Sequence, residues 1–510
     1  MAEDLIVAAF ARKITSHLSF QKKKNEPHAA GKLRFFPCTW ATGTDKRPFN
    51  TCTVRGVEGS TLPQVDKSTV SAYFLTRCDS TGDHPSWLPL LADHQPGELL
   101  VRQRGKGLLI AAGSVLVLIN FSRVGCLAQC SSDEFRHLTA QCVPGGNLNA
   151  SKAHAMRSFL APPELFVPGS RARRSRDLRR LNILLAVESE GAVFFVVDHN
   201  RLTKLDVLYR EKHWTHEDVE KSSVWPETLG PDWVTESADA WAQADTWRAG
   251  VLAARTSIPL ADALQTNHTT FNGFGRQTAA DVCHRLQLHP VTPAYAVCEN
   301  DVEWNRIKQV LTDYLASLRR PSVLRCTAAT INSDYPFQFH AASSRYFINN
   351  CIAVFRRRDV RIPKQDWLTM QSKGLFSSEH VIGDEPGNDQ TVPALRSESV
   401  AQPVYLYRVG SKAYYTAIQA RPPPEWAMGT LHAHGDTWKD LRLDGDTPTI
   451  GPQQFHIYTI NRVHEADWSE YVASLRQAAI DEGVEDDDVE PLPLLDDAGI
   501  SLDAEQTVKE

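Results

Sequence analysis

Residues 108–121 and 181–198 each read as two nearly uninterrupted apolar runs hinged on a short turn. No other feature constrains the fold of this chain as strongly. Leu108–Ala112 and Val115–Phe121 flank Gly113-Ser114, a two-residue hairpin signal. Leu181–Glu188 and Ala192–Asp198 are joined through Ser189-Glu190-Gly191 and form the second pair. Strands that alternate apolar and polar residues keep one wet face. These do not alternate, so they are expected to be buried on both faces, which demands a sheet covered by other elements.

Helical periodicity supplies candidate covers. Leu5, Ile6, Ala9, Phe10, Ile14 and Leu18 follow the 3.6 period near the N-terminus, with Lys22–Lys24 where a helix C-terminus favours positive charge. A stretch rich in Gly, Pro and Thr, from Pro27 to about Pro63, favours turns and short strands. Asp232 to Arg255, carrying Trp233, Trp241 and Trp247, predicts a helix. Asp301–Arg320 predicts another. Asn300 and Glu303 have capping-box spacing there, and Val302, Ile307, Val310, Leu311, Tyr314, Leu315 and Leu318 make its apolar face. Strand-like runs follow at Tyr346–Phe355, Val404–Val409, Ala413–Ile418 and Phe455–Ile460, and a last helix is expected over Asp467–Ile480.

The class is therefore α+β: mixed helices and mainly antiparallel strands and hairpins in two or three domains. The breaks suggest an N-terminal α+β domain over 1–165 and a central domain with hairpin and helices over 166–330. A strand-rich domain over 331–480 and a tail over 481–510 complete the division. The tail holds 12 acidic residues and one basic, for a net of -11. Residues 1–480 hold 54 basic and 49 acidic groups, a net of +5. Composition of the tail's kind cannot bury enough apolar surface to offset ordering entropy, so it is expected to be disordered.

Three patterns are candidates for chemistry. The first is Gly169–Arg180, where Arg171, Arg173, Arg174, Arg176, Arg179 and Arg180 fall within 12 residues alongside a single Asp. Such a strip can neutralise phosphates by counterion release and so bind nucleic acid without sequence specificity. A solvated connector, or a strip paired with acids of the same fold, is the alternative. Arg356–Arg358 and Lys22–Lys24 are weaker patches of the same kind.

The second is Cys126-x3-Cys130-x6-His137-x4-Cys142. Three thiolates and an imidazole suit tetrahedral zinc, and the run resembles a zinc knuckle with lengthened spacings. Against zinc, Ser131 and Glu134 read as a capping box, and Phe135, Leu138 and Cys142 as the buried stripe of a short helix. No cofactor is expected, and zinc at Cys126, Cys130, His137 and Cys142 is the one alternative left open. The third is His432-Ala-His434-Gly-Asp436, the start of a metallohydrolase-like run. Thr437 stands where a further His would be needed, and too little chain follows for distant ligands, so catalysis is rejected there.

Phosphate-cradling and nucleophile-elbow motifs are missing. The expectation is thus a non-enzymatic structural or assembly protein, most plausibly a viral coat or virion component that contacts nucleic acid, RNA included, through its Arg-rich surface. The competing readings are a non-structural nucleic-acid-binding protein, and an enzyme whose active site carries no motif. Self-association is expected, and a membrane is not. The N-terminus has two acids where a secretion signal needs basic residues, and no stretch approaches ~18 continuous apolar residues. With ten scattered cysteines and no disulfide framework, a cytoplasmic setting follows, host cytoplasm or virion for a viral protein.

Overall fold

A computed structural model describes residues 4–23, 30–40, 52–69, 87–121, 125–140, 142–146, 153, 157–176, 179–198, 201–288, 292–327, 335–337 and 341–353, with short pieces between 362 and 415. The chain divides into two compact units. Met1–Pro226 with Leu324–Ser343 belongs to the first, and Glu227–Val323 with the described residues from Ser344 onward to the second.

The first unit opens on α1 (Asp4–Lys23), whose Leu5, Ala9, Phe10, Ile14 and Leu18 are buried as the periodicity requires. There follow β1 (Ala30–Phe35), β2 (Cys52–Gly56), β3 (Gly97–Arg104), β4 (Gly107–Ala112), β5 (Val115–Asn120) and β6 (Cys126–Cys130). Next come α2 (Ser132–Ala140), β7 (Cys142–Pro144), β8 (Arg157–Leu160) and the short α3 (Arg171–Arg174). The unit continues through β9 (Arg180–Leu181), β10 (Ile183–Ser189), β11 (Ala192–Val197), β12 (Lys204–Tyr209) and α4 (His216–Glu220). Nine strands join in the order β2-β12-β5-β4-β3-β1-β10-β11-β6. All neighbours are antiparallel except β2 and β12. The class is α+β.

Both expected hairpins are present, and their strands are buried on both faces: every residue of β4 and of β11 is buried. α1 packs on β3 and β4, with Phe10 5.2 Å from Phe121 ring to ring. The turn between β4 and β5 needs glycine twice over. Gly113 has φ +58°, and a Cβ built on Gly97 of β3 would lie 2.4 Å from the Gly113 backbone. A separate three-stranded sheet, β7-β8-β9, lies over the core cluster of Phe36, Phe135, Leu138, Phe159 and Phe195. The boundary expected at 165/166 falls inside this unit, because Phe159 pairs with Leu181 across it and β1 pairs with β10.

Between Glu227 and Val323 the second unit is helical: α5 (Ser237–Ala254), α6 (Leu260–Thr266), α7 (Arg276–Arg285), α8 (Ala294–Cys298) and α9 (Asp301–Leu318). The helix expected from Asp232 begins only at Ser237. The Asp232 carboxylate accepts the amides of Val234 and Thr235, each at 2.9 Å, and holds residues 232–235 as a turn. In α9, Asn300 caps as expected, accepting from Val302 N at 2.9 Å and Glu303 N at 3.1 Å. Val302, assigned to the buried face, is 78% exposed, and Trp304 fills the core at 1%. The strand expected over Tyr346–Phe355 is instead the end of a helix, Ala341–Tyr346, running into a wider helical turn, Phe347–Cys351. Leu406–Val409 and Lys412–Tyr415 pair as antiparallel strands where strands were expected. The run at Phe455–Ile460, the helix over Asp467–Ile480, His432–Asp436, Arg356–Arg358 and the acidic tail lie outside the described residues.

Candidate nucleic-acid interface

The Arg-rich segment is held at both ends. On its N-terminal side, Pro163–Leu165 forms a 3-10 turn that buries Leu165 and Phe166 in the core cluster. Gly169 then turns the chain with φ +78°, a conformation a side chain disfavours, and Ser170 Oγ accepts from the Arg173 amide at 3.2 Å to start α3. On the C-terminal side, Arg179 is bonded twice to Ala161: the Ala161 amide donates to Arg179 O at 2.9 Å, and the Arg179 side chain donates through Nη1 to Ala161 O at 2.8 Å. Arg180 and Leu181 enter the small sheet as β9.

This geometry splits the six arginines. Arg180 is a half-buried member of the small sheet, and Arg179, half-buried just before it, is spent on the backbone of Ala161. Arg174 and Arg176 are exposed and Arg173 is half-buried on the crest between the two anchors. Arg171 opens α3. Among the described residues, Arg173, Arg174 and Arg176 form no ion pair. Elsewhere guanidinium groups have carboxylates of their own fold: Arg102 with Glu220, Arg210 with Asp218, Arg248 with Asp301, Arg306 with Glu303, and Arg319 with Asp232. Among the described residues the crest thus gathers three planar cationic forks unmatched by carboxylates within four positions, and such forks bind phosphate bidentately.

The zinc expectation is corrected. Cys126 and Cys130 sit at opposite ends of β6, paired with Val197 and Val193 of β11. Four steps along an extended strand separate them by about 13 Å, far beyond two thiolates on one ion. His137 is exposed on α2, and Cys142 begins β7. Burial pushes the Cys126 thiol up to about 11 and the Cys130 thiol up to about 12, so neither is a thiolate near neutrality. Among the described residues no three His, Cys, Asp or Glu side chains converge as metal donors. The helical reading of the same run holds over Ser132–Ala140, but Cys142, expected on its buried stripe, lies beyond the helix and begins β7. Ser131 Oγ accepts from Glu134 N at 3.3 Å, Glu134 Oε2 accepts from Ser131 N at 2.8 Å, and Phe135 and Leu138 are buried.

Sequence reasoning missed one arrangement, a contact between Cys142 and Arg157. Arg157 Nε donates to Cys142 Sγ at 3.2 Å and Nη2 to Cys142 O at 2.7 Å. The two residues are 15 apart, and only the pairing of β7 with β8 brings them together.

No helix among the described residues is long and apolar enough to cross a membrane. No family model matches the chain, and no curated protein matches it. Solved structures with some likeness include Lactococcus lactis formamido-pyrimidine DNA glycosylase bound to DNA containing an AP site. It is 11% identical at a TM-score of 0.28, over 43% of this chain and 62% of that one. A complex of the same enzyme with THF-DNA and an inhibitor is 10% identical at a TM-score of 0.31, over 52% and 76%. MutM with DNA containing carbocyclic 8-oxo-G is 11% identical at 0.28. The chain thus spans less than two thirds of the first of these. Likeness at this level carries no functional inference.

Proposed function

We propose that this chain binds nucleic acid through backbone phosphates, with Arg173, Arg174 and Arg176 as the principal contacts. The observation that carries the reading is the crest itself: three neighbouring guanidinium groups without an ion pair among the described residues, between two anchored ends. An anchored crest loses less conformational entropy on binding than a free tail would. Such contacts recognise charge and spacing instead of base edges, so affinity is insensitive to sequence and sensitive to salt. Titration of a labelled oligonucleotide at several salt concentrations tests this. Binding whose salt slope is the same with and without the three arginines overturns it.

The role of a coat or virion component is proposed as a second reading, and one observation favours it. Among the described residues, β2 pairs only with β12 and β6 only with β11, so each end of the nine-strand order offers a row of backbone donors and acceptors. Edge-to-edge pairing of copies would use them. Light scattering coupled to size exclusion, with absorbance read at about 260 and 280 nm to detect bound nucleic acid through its bases, separates the two. A large oligomer carrying nucleic acid supports assembly, and a monomer at every concentration removes it while leaving the binding proposal to stand.

A further inference from the structure

The strands that carry the crest also build a thiol site. β7 begins at Cys142, opposite Phe159 of β8, and the turn Pro37–Thr39 packs against β8. That turn carries Cys38, fully buried in the cluster that Cys142 borders, and the two thiols are in hydrogen-bonding contact. Arg157, itself only 7% exposed, places Nε 3.2 Å from Cys142 Sγ while Nη2 is fixed by the carbonyl of the same residue. A neutral thiol is a weak acceptor for a guanidinium N–H, whereas a thiolate is a charged one, so the arrangement favours the ionised sulfur. The Cys38 contact first, then the hydrogen bond and charge of Arg157, outweigh burial and bring Cys142 from the ordinary 9.0 down to about 6. Cys283, Cys298 and Cys326 go the other way, each pushed by burial up to about 12. Cys142 is also only partly buried, so a small reagent can reach it.

We propose that Cys142 is a nucleophilic thiolate and Cys38 its resolving thiol, the two forming a reversible disulfide when the chain meets a hydroperoxide. In the first step the Cys142 sulfur attacks the terminal peroxide oxygen. The S–O bond forms, the O–O bond breaks, and the alkoxide leaves to take up the proton Cys142 had released. The sulfur loses two electrons and the peroxide gains them, giving a sulfenic acid and an alcohol. In the second step the Cys38 sulfur attacks Cys142 Sγ. The S–S bond forms, the S–O bond breaks, and hydroxide leaves with the Cys38 proton as water. Arg157 is a positioning residue in the first step, holding the thiolate through its Nε. An external thiol restores the pair by exchange.

The test is alkylation of the full chain by iodoacetamide across pH, mapped by mass spectrometry without nucleic acid, so its outcome is separate from the binding proposal. At pH 6 a thiol with a pKa near 6 has about 500-fold more thiolate than one at 9, and lower intrinsic nucleophilicity returns about 20-fold of that. Cys142 is therefore expected to react about 20-fold faster than an unstructured peptide thiol at that pH, with its rate levelling off above it. R157Q should move this midpoint upward while tryptophan fluorescence shows the fold retained. Added hydrogen peroxide should yield one linked peptide pair, Cys38 with Cys142, reversed by dithiothreitol. C38S should instead leave a sulfenic acid that dimedone traps. A Cys142 that alkylates at pH 6 no faster than the peptide thiol overturns the proposal. So does a peroxide-treated chain without the Cys38–Cys142 link.

Discussion

Replacing Arg173, Arg174 and Arg176 together by alanine should flatten the salt dependence of nucleic-acid binding by an amount the structure sets. Each phosphate neutralised by a cationic side chain contributes about -0.9 to the slope of log affinity against log salt on duplex DNA, and about -0.7 on single strands. The three guanidinium groups of the crest therefore account for a slope of about -2.7 on duplex and -2.1 on single strands. Between 50 and 200 mM salt that corresponds to about a 40-fold loss of affinity on duplex and about 20-fold on single strands, lost by the parent chain and spared in the variant. The sequence alone, with six arginines in 12 residues, would give twice the slope. The smaller value follows because Arg179 is spent on Ala161 O, Arg180 lies in the sheet, and Arg171 is left out of the count. Fluorescence anisotropy of a labelled 20-mer, titrated at four salt concentrations in each form, reads the slope directly. R179A is the control and should leave it unchanged. The reasoning is refuted if the triple variant keeps the parent slope, or if R179A alone reduces it by as much as the triple change.

Other outcomes follow from the same contacts. R179A should lower stability by about 1–3 kcal/mol in urea unfolding, since the carbonyl of buried Ala161 loses a charged donor. R319A should cost more, about 3–5 kcal/mol. Asp232 is fully buried, and Arg319 holds both its oxygens, at 2.8 and 2.7 Å, so the change strands a charge. S131A removes the acceptor that caps α2 and should cost about 1 kcal/mol, read by the same unfolding curve. Asp218 is held well below the ordinary carboxylate range by Arg210 first, then by Thr215. Its folded pKa is depressed, so its contribution is complete above the unfolded value near 4 and is lost as pH falls toward the folded one. Unfolding midpoints should therefore drop below about pH 4 in the parent chain, and D218N should remove that part of the drop.

What was legible in the sequence was local. The turn at Gly113-Ser114, the hairpin through Gly191, the Ser131/Glu134 box and the Asn300 cap each depend on residues within a few positions of one another. Backbone sterics and one or two hydrogen bonds decide such features, so their signals survive without knowledge of the fold. The uninterrupted apolarity of β4 and β11 likewise announced burial on both faces, because residues of that kind have no other stable place.

Where side chains from distant segments meet, the sequence was silent or misleading. The Cys126–Cys142 spacing looks like a ligand set only while the intervening backbone is unspecified. Pairing of β6 with β11 stretches the first two sulfurs apart, and α2 turns His137 outward. Asp232 looked like the start of a helix, and a partner 87 residues away made it the anchor of a turn. The six arginines are equivalent in composition. The closure of β8 on β9 separates those knit into the sheet from those that face solvent. The same closure of β7 on β8 sets Arg157 against Cys142, a contact with no periodicity, spacing or motif to reveal it. Sequence determines what a residue can offer at short range; the burial of apolar strands decides which distant residue receives it.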